Sequence, residues 1–247
     1  MDAVYEWFRW LYDQHGINLV IFYEPYERER FVSGLMTTIY LSLACLFFSF
    51  IIGVVGAWLQ GSRLRFTRQI VQGYIQFFRN TPPLIQLYFF YFALGVYTPS
   101  YDAGGWREPI IGSFGWAVIS LSFFAGAFNV EIFRAGIEAV PSATIEAAES
   151  LGYSRLKTYI HVVLPLAFRV SLPALNNNLV NLVKTTTLAY AIAVPEMMYT
   201  ANQIWSDNVN VPEMMVVLFL VYIVLVGLLV WGMHRWERAI RIPGYGA

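Results

Sequence analysis

Long stretches without charged side chains place the strongest constraint on how this chain folds. A helix needs about 20 mostly apolar residues to cross a hydrocarbon core of roughly 30 Å. Only 13% of the 247 residues are charged, against roughly 25% in an ordinary soluble domain. The sequence therefore predicts an all-α integral membrane protein with five transmembrane helices, at about residues 31–60, 70–97, 113–140, 173–195 and 214–236.

Positive charges in the short connections predict which side of the membrane each one faces, because Lys and Arg are retained on the cytosolic side. The first and third connections and the C-terminal tail are rich in Lys and Arg, whereas the fourth connection has none and the second has only Arg107. This pattern predicts an N-terminus outside and a C-terminus in the cytosol. The signal comes from Arg63, Arg65, Arg68, Arg155, Lys157, Arg169, Arg235, Arg238 and Arg241.

A single membrane domain is predicted, because no internal repeat and no long Pro-, Gly- or Ser-rich linker divides the chain. Residues 31–236 form this domain, with a cytosolic loop at 141–165 and a cytosolic tail at 237–247. Residues 1–30 form an outer segment, whose many acids are unlike a cleavable signal peptide and predict that it is retained. Within it, the aromatic run 4–12 predicts a helix that lies in the membrane interface against lipid, with simple anchoring as the favoured role.

The predicted cytosolic loop carries start and stop signals for two short helices. Ser142 can cap the first helix and Gly152 can end it. Ser154 can cap the second, and Pro165 is expected to close it. The sequence thus predicts two short helices that meet at a glycine.

The first of these helices has the composition of a docking site for a partner. Ala147 and Ala148 are small enough to let another surface approach closely, and the Glu146 carboxylate can accept hydrogen bonds from it. Ile145, Ala148 and Leu151 share one face at i, i+3 and i+6. On the helix signals alone, an ordinary amphipathic connector would be the simpler interpretation.

The full spacing of the loop resembles the ATPase-docking loop in the permeases of ATP-binding-cassette importers. The pattern is Glu-Ala-Ala, three residues, Gly, nine residues, a β-branched residue, one residue and Leu-Pro. One departure is Thr144-Ile145, where members of the polar amino acid subgroup often have Gly-Gln. The matching segments of the loop are Glu146–Gly152 and Val162–Pro165, and Phe78–Gln86, Glu131–Ile137, Leu182–Leu188 and Ile240–Gly244 are similar to permeases of the glutamate, aspartate, glutamine and histidine type.

The resemblance implies a transmembrane subunit that forms the path for polar amino acids, with acidic or amide types slightly favoured, in a bacterial inner membrane. It implies alternating access driven by two ATPase subunits that bind ATP and Mg, a second permease subunit, identical or different, and a periplasmic amino-acid-binding protein. The residues implied to couple to the ATPase are Glu146, Ala147, Ala148, Leu151 and Gly152.

Polar side chains inside the fourth predicted helix suggest a wall of the substrate path. Asn177, Asn181 and Lys184 share one face at i, i+4 and i+7. Charges at membrane depth cost about 2.5–3.5 kcal/mol on insertion scales, so they usually face a cavity or a partner. Thr185 and Asn129 are further candidates for the path. Hydrogen bonding between helices across a dimer would explain the same residues, and both interpretations remain open.

Two features of the second and third predicted helices also concern polar groups at membrane depth. Glu131, Arg134 and Glu138 share a face at i, i+3 and i+7, which predicts a structural ladder of ion pairs near the cytosolic end. The Thr81-Pro82-Pro83 sequence predicts a break, because proline removes backbone donors. Such a break either borders a cavity or is a kink that serves only the packing of helices.

The sequence also speaks against several function classes. Sixteen Lys and Arg balance sixteen Asp and Glu without a basic patch, which gives no support for nucleic-acid binding. No Gly-x-x-x-x-Gly-Lys-Ser/Thr loop is present, so the chain is not itself the ATPase. One cysteine and three dispersed histidines predict neither a metal site nor a cofactor in this chain. The rival interpretations are an ion-coupled transporter or channel that uses Lys184, and a sensing module that recruits a partner through the loop.

Overall fold

The computed structural model describes residues 2–102 and 104–240 and is almost entirely helical. A short antiparallel hairpin pairs Ser100–Asp102 with Arg107–Pro109. The α-helices of the described residues are α1 (Asp2–His15), α2 (Pro25–Gln60), α3 (Arg65–Asn80), α4 (Pro83–Tyr88), α5 (Ser113–Glu138), α6 (Ser142–Ser150), α7 (Arg155–Thr158), α8 (Leu164–Thr185), α9 (Met197–Asn208) and α10 (Val211–Ile240).

Four helical stretches of the described residues are long and apolar enough to cross a membrane. They are α2, α5, α10 and the stretch Arg155–Ile192, which joins α7 and α8 to a 3₁₀ segment. The structure therefore confirms an all-helical membrane protein. It also shows that Pro165 lies within the first turn of α8 and does not close a helix, because the π-helical turn at Tyr159–Val163 directly before α8 is a local adjustment of the kind that accommodates proline in membrane helices.

The second predicted membrane helix, at 70–97, is divided among several elements. α3 begins at Arg65 and ends before Thr81, and α4 is followed by a π-helical turn at Phe89–Leu94 and a 3₁₀ turn at Gly95–Tyr97. Thr81 is extended (φ −112°, ψ 143°), as a residue before proline should be. The predicted break is thus confirmed, but a single kinked helix was the wrong expectation.

The chain folds as two compact units. The first consists of Met1–Ala44, Leu84–Ser120 and Val183–Gly227, and the second of Cys45–Pro83, Leu121–Leu182 and Leu228–Ala247. Because α2, α5, α8 and α10 are long, each of them contributes residues to both units.

In the first unit, an apolar core forms around α9. Met197 and Ile204 of α9 pack with Phe31 of α2 and Met214 of α10, and all four are buried. The sequence did not predict α9, which folds within the fourth connection. α1 covers the predicted 4–12 helix, and its Phe8 stacks on Phe22 with ring centroids 4.5 Å apart.

In the second unit, α3 packs against α5. Val71, Ile75 and Phe78 are buried on one face of α3, and the Tyr74 hydroxyl donates to the Phe123 carbonyl at 2.6 Å. Close approach of α5 and α8 depends on Gly136, since any side chain there would overlap Ser171 and the Ala167 carbonyl. Of the predicted tail 237–247, residues 241–247 lie outside the described residues.

Candidate functional site

The loop helix α6 belongs to the second unit and ends in a well-defined glycine turn. Gly152 has φ +90°, which lies in the region that favours glycine. The Gly152 N–H donates to the Glu149 carbonyl at 2.9 Å, and the Tyr153 N–H donates to the Ala148 carbonyl at 3.2 Å. These two bonds form a Schellman motif, and the predicted stop at Gly152 is confirmed.

The start of α6 differs from the prediction. Pro141 is the residue before the helix, and its side chain makes no capping hydrogen bond. Ser142 already lies inside the helix, so its predicted role as the cap is wrong. The second predicted cap is confirmed, because Ser154 Oγ accepts the Lys157 N–H at 3.4 Å.

One face of α6 is anchored and the other is exposed. Ala148 is buried, and Ile145 packs against a small core of Val140, Val163 and Ala167. Glu146 and Ala147 are exposed on the outer side. The helix is therefore held by its apolar face while the Glu146 carboxylate stays accessible.

An apolar surface continues from α6 along the chain toward α8. Leu151 is 80% exposed and Leu156 is 69% exposed, and Tyr153 and Ile160 are exposed as well. Exposed large apolar side chains that cluster beside a charged group are typical of interaction sites. Leu151 shares a helical face with Ile145 by spacing, but unlike Ile145 it is exposed.

The asparagines of α8 point in three directions, since successive helical residues are about 100° apart. Asn177 and Asn181 are exposed. Asn178 Nδ2 donates to Asn129 Oδ1 at 2.8 Å, and Asn176 Nδ2 donates to Glu237 Oε2 at 3.2 Å. Asn178, which the sequence analysis had passed over, is thus the amide that binds across to α5.

Asn129 is buried and lines a partly open cavity of about 150 Å³ in the second unit. Its Nδ2 donates to Ser49 Oγ at 3.4 Å. The cavity wall is mostly apolar, with Ser49, Asn129, Asn176 and Asn178 as its polar members. The structure therefore brings Asn129 to the inward-facing side of α8, and not to the exposed side that carries Asn177 and Asn181.

Lys184 and Thr185 lie at the end of α8, in the first unit. The Lys184 side chain is exposed and that of Thr185 is partly buried. The Lys184 carbonyl accepts the Thr187 hydroxyl at 2.8 Å. At least one of the three consecutive threonines at 185–187 therefore bonds to the helix backbone three residues before it. Their contact with a substrate stays a prediction.

α3 carries a polar face that sequence reasoning missed. Gln69, Gln72, Gln76 and Asn80 are exposed at i, i+3, i+7 and i+11, which is one side of the helix. This face is distinct from the buried face of Val71, Ile75 and Phe78. The spacing of these four amides is visible in the sequence, but the apolar residues around them favoured the prediction of an ordinary membrane helix.

The predicted ladder of ion pairs on α5 forms only in part, because one of its members pairs with α3. Arg134 Nη1 pairs with Glu138 at 2.7 Å, as the spacing predicts. Glu131 pairs instead with Arg79 of α3, whose guanidinium also lies 5.1 Å from the centre of the Phe128 ring. Glu131 therefore pairs with an arginine of α3, whereas Arg134 pairs along α5.

Comparison with known proteins gives a consistent result. The family model described as binding-protein-dependent transport system inner membrane component matches residues 49–242. The L-cystine transport system permease protein TcyB of Bacillus subtilis (strain 168) is 33% identical over 72% of this chain and 71% of its own length. The glutamate/aspartate import permease protein GltJ of Escherichia coli (strain K12) is 28% identical over 86% of this chain and 87% of its own.

A solved structure also resembles this chain. The crystal structure of an amino acid ABC transporter with histidines contains a chain that matches with a TM-score of 0.75 and 27% identity. The match covers 86% of this chain and 94% of that one.

Proposed function

Because this chain belongs to the family of binding-protein-dependent transport system inner membrane components, we propose that it carries polar amino acids and docks its ATPase through the α6–α7 loop. It is a multi-pass inner membrane permease subunit of an ATP-binding-cassette importer, and a separate subunit hydrolyses ATP. The observation that carries the docking proposal is α6 itself, with its anchored inner face, its exposed Glu146 and its glycine-terminated end.

The complete importer contains two ATPase subunits, a second permease subunit and a periplasmic amino-acid-binding protein. Closure of the ATPases around ATP and Mg pushes on α6. That movement passes to α5 and α8, to which the loop is joined, and reopens the path toward the outside. The packing of Ile145 against the small core beneath α6 supports this coupling, since it joins the loop helix to residues of α8 such as Ala167.

Five crossings fit this function, with the N-terminus outside and the C-terminus in the cytosol. Four come from the long apolar helices, and the remaining one from α3 together with the shorter apolar stretch Pro83–Tyr97. The excess of arginine in the connection before α3 and in the loop around α7 supports this orientation. Under this topology the hairpin at residues 100–109 and α9 face the periplasm.

The path uses polar groups on α8, which are exposed at Asn177, Asn181 and Lys184 and partly buried at Thr185. Asn177, Asn181 and Thr185 offer hydrogen-bond donors and acceptors, and Lys184 offers a positive charge to a carboxylate. An acidic or amide-type amino acid suits such a surface. The names of two relatives, a cystine permease and a glutamate/aspartate permease, are in keeping with polar cargo.

Reconstitution of the complete importer in proteoliposomes tests the proposal. Radiolabelled glutamate, glutamine, cystine and histidine are supplied with the binding protein, and uptake is compared with ATP hydrolysis. We expect ATP-dependent uptake of at least one, and we expect Glu146→Ala to hydrolyse ATP with little uptake. Glu29→Ala, an exposed carboxylate on α2, is the control. Uptake that persists without ATP, or normal coupling in Glu146→Ala, would contradict the proposal.

A further inference from the structure

The polar face of α3 ends at an ion pair that the proposed function does not use. Arg79 follows Gln72 and Gln76 at i+7 and i+3, so it continues the same side of the helix. Glu131 reaches it from α5, one of the four helices apolar enough to cross a membrane. The pair therefore joins two helices of the second unit, one of them long and apolar enough to cross a membrane.

The surroundings of this pair are unlike those of a buried structural ion pair. The side chains of Arg79 and Glu131 are 36% and 28% exposed. A carboxylate and a guanidinium that face lipid would be costly, and these two are not enclosed by their own unit. They are therefore best explained by a polar space alongside α3, bounded by Gln76 and Asn80 on the same helix.

The two charges match the end that all amino acids share. A zwitterionic α-amino acid carries one carboxylate and one ammonium group a few bonds apart. The guanidinium of Arg79 is a planar, two-pronged donor suited to a carboxylate, and the carboxylate of Glu131 accepts from an ammonium. Arg79 and Glu131 pair with each other, so neither charge lacks a partner when no ligand is bound.

Resting on the proposed function, we propose that Arg79 and Glu131 bind the α-carboxylate and the α-ammonium of the transported amino acid by exchanging partners with it. The amides of Gln72, Gln76 and Asn80 line the approach to this site. The Phe128 ring lies against the guanidinium, with its centre 5.1 Å away. Such a site recognises an amino acid as a class and leaves the side chain to be read elsewhere.

The direct test measures binding to the purified complex of permease and ATPase with the binding protein absent. Each of four radiolabelled amino acids (glutamate, glutamine, cystine and histidine) is compared with the matching amine that lacks the α-carboxylate, such as histamine for histidine. Wild type should prefer the amino acid by about 10- to 100-fold, the effect expected for hydrogen bonds to a charged group. Arg79→Gln should reduce that preference to near one.

Further variants separate ligand recognition from a purely structural role. Glu131→Gln should lose the preference for amino acids over their N-acetyl derivatives. The double variant, Arg79→Gln with Glu131→Gln, keeps hydrogen-bonding side chains between α3 and α5 without their charges, so it should assemble normally yet lose both preferences. The matched controls are Arg134→Gln and Glu138→Gln, the neighbouring ion pair on α5, which should leave both preferences unchanged.

Three results would overturn the inference. In the first, the carboxylate preference survives in Arg79→Gln. In the second, the double variant Arg79→Gln with Glu131→Gln keeps either preference, as it would if the pair were only structural. In the third, the variants lose co-purified phosphatidylethanolamine, whose headgroup also carries both charges, while amino acid binding is intact. If wild type neither binds nor transports any of the four amino acids, the proposed function itself fails.

Discussion

The short helices α6 and α9 occupy similar positions in the chain, since each lies in the connection between two long apolar stretches, but they are held in opposite ways. α9 begins at Glu196, whose side chain is fully buried. Its carboxylate oxygens accept the Met198 N–H at 2.9 Å and the Tyr199 N–H at 2.8 Å. α6 begins without any side-chain cap, and its carboxylates are exposed.

The other contacts of α9 continue this contrast. Asn208 Nδ2 donates to Glu27 Oε1 at 3.0 Å, and Arg30 pairs with Asp207 at 2.7 Å. Arg30 also donates to Gln203 Oε1 at 3.0 Å. α6 instead rests on its unit through Ile145, and Ala148 is buried, while its charged side chains are exposed. α9 is thus fixed within its unit by hydrogen bonds and ion pairs, whereas the polar side chains of α6 are accessible to a partner.

Removal of the α9 cap should have the largest effect on stability. Glu196→Ala leaves the Met198 and Tyr199 N–H groups without their acceptor in a buried place, and each buried donor that loses its partner costs about 1–3 kcal/mol. We expect the free energy of unfolding in detergent to fall by about 3 kcal/mol or more. Glu149→Ala, on the exposed side of α6, should change it by less than about 0.5 kcal/mol. Equal losses of unfolding free energy in Glu196→Ala and Glu149→Ala would contradict the contrast between α9 and α6.

The pH dependence of stability should report the same buried carboxyl. Glu196 lies outside the four apolar stretches, and burial raises its pKa to about 7, although the two backbone N–H bonds offset part of the shift. The folded state thus keeps a proton that the unfolded chain releases near its ordinary pKa of 4.5. The stabilisation is full below pH 4.5 and is lost as the pH rises through about 7, by up to about 3 kcal/mol. Unfolding measured from pH 4.5 to 8 should lose this slope in Glu196→Gln, and an unchanged slope would contradict the assignment.

A smaller effect is expected at the end of α6. Gly152→Ala forces a side chain into a positive φ, which costs about 1–2 kcal/mol, although nothing lies within 4 Å of the added carbon. The amount of amino acid taken up per ATP hydrolysed should fall by more than the loss of stability explains, because the turn sets the direction of α6. Gly104→Ala, another glycine at positive φ with open space around it, is the control for strain alone. A normal ratio of uptake to hydrolysis in Gly152→Ala would show that this turn is not needed for coupling.

Much of the architecture could be predicted from the sequence, because membrane helices carry a composition signal that local context rarely overrides. The long apolar stretches, the break at Thr81, the glycine stop at Gly152 and the cap at Ser154 all follow from single residues or runs. α9 was missed because its cap is a glutamate, which is not among the strongest capping residues, and its acids suggested an exposed loop.

The candidate site was harder to predict where it depends on pairing between distant helices. Glu131 and Arg134 are three residues apart, so the sequence favoured that local pair, but Arg79 arrives from α3 and takes Glu131. Likewise three consecutive asparagines give no sign of which one turns inward, and only the packing of α8 on α5 selects Asn178 for Asn129. The Gly152 stop and the Ser154 cap of the loop were predictable because each depends on residues within one segment.

Photo-crosslinking tests most directly the central claim that α6 meets the ATPase while α9 does not. A photoreactive amino acid is placed at Leu151, which is 80% exposed, or at Val209, which directly follows α9 and is 89% exposed. After irradiation of the assembled importer, the account predicts an adduct with the ATPase subunit from position 151 and none from position 209. An intact complex that gives no ATPase adduct at 151, or gives one equally at 209, would contradict it.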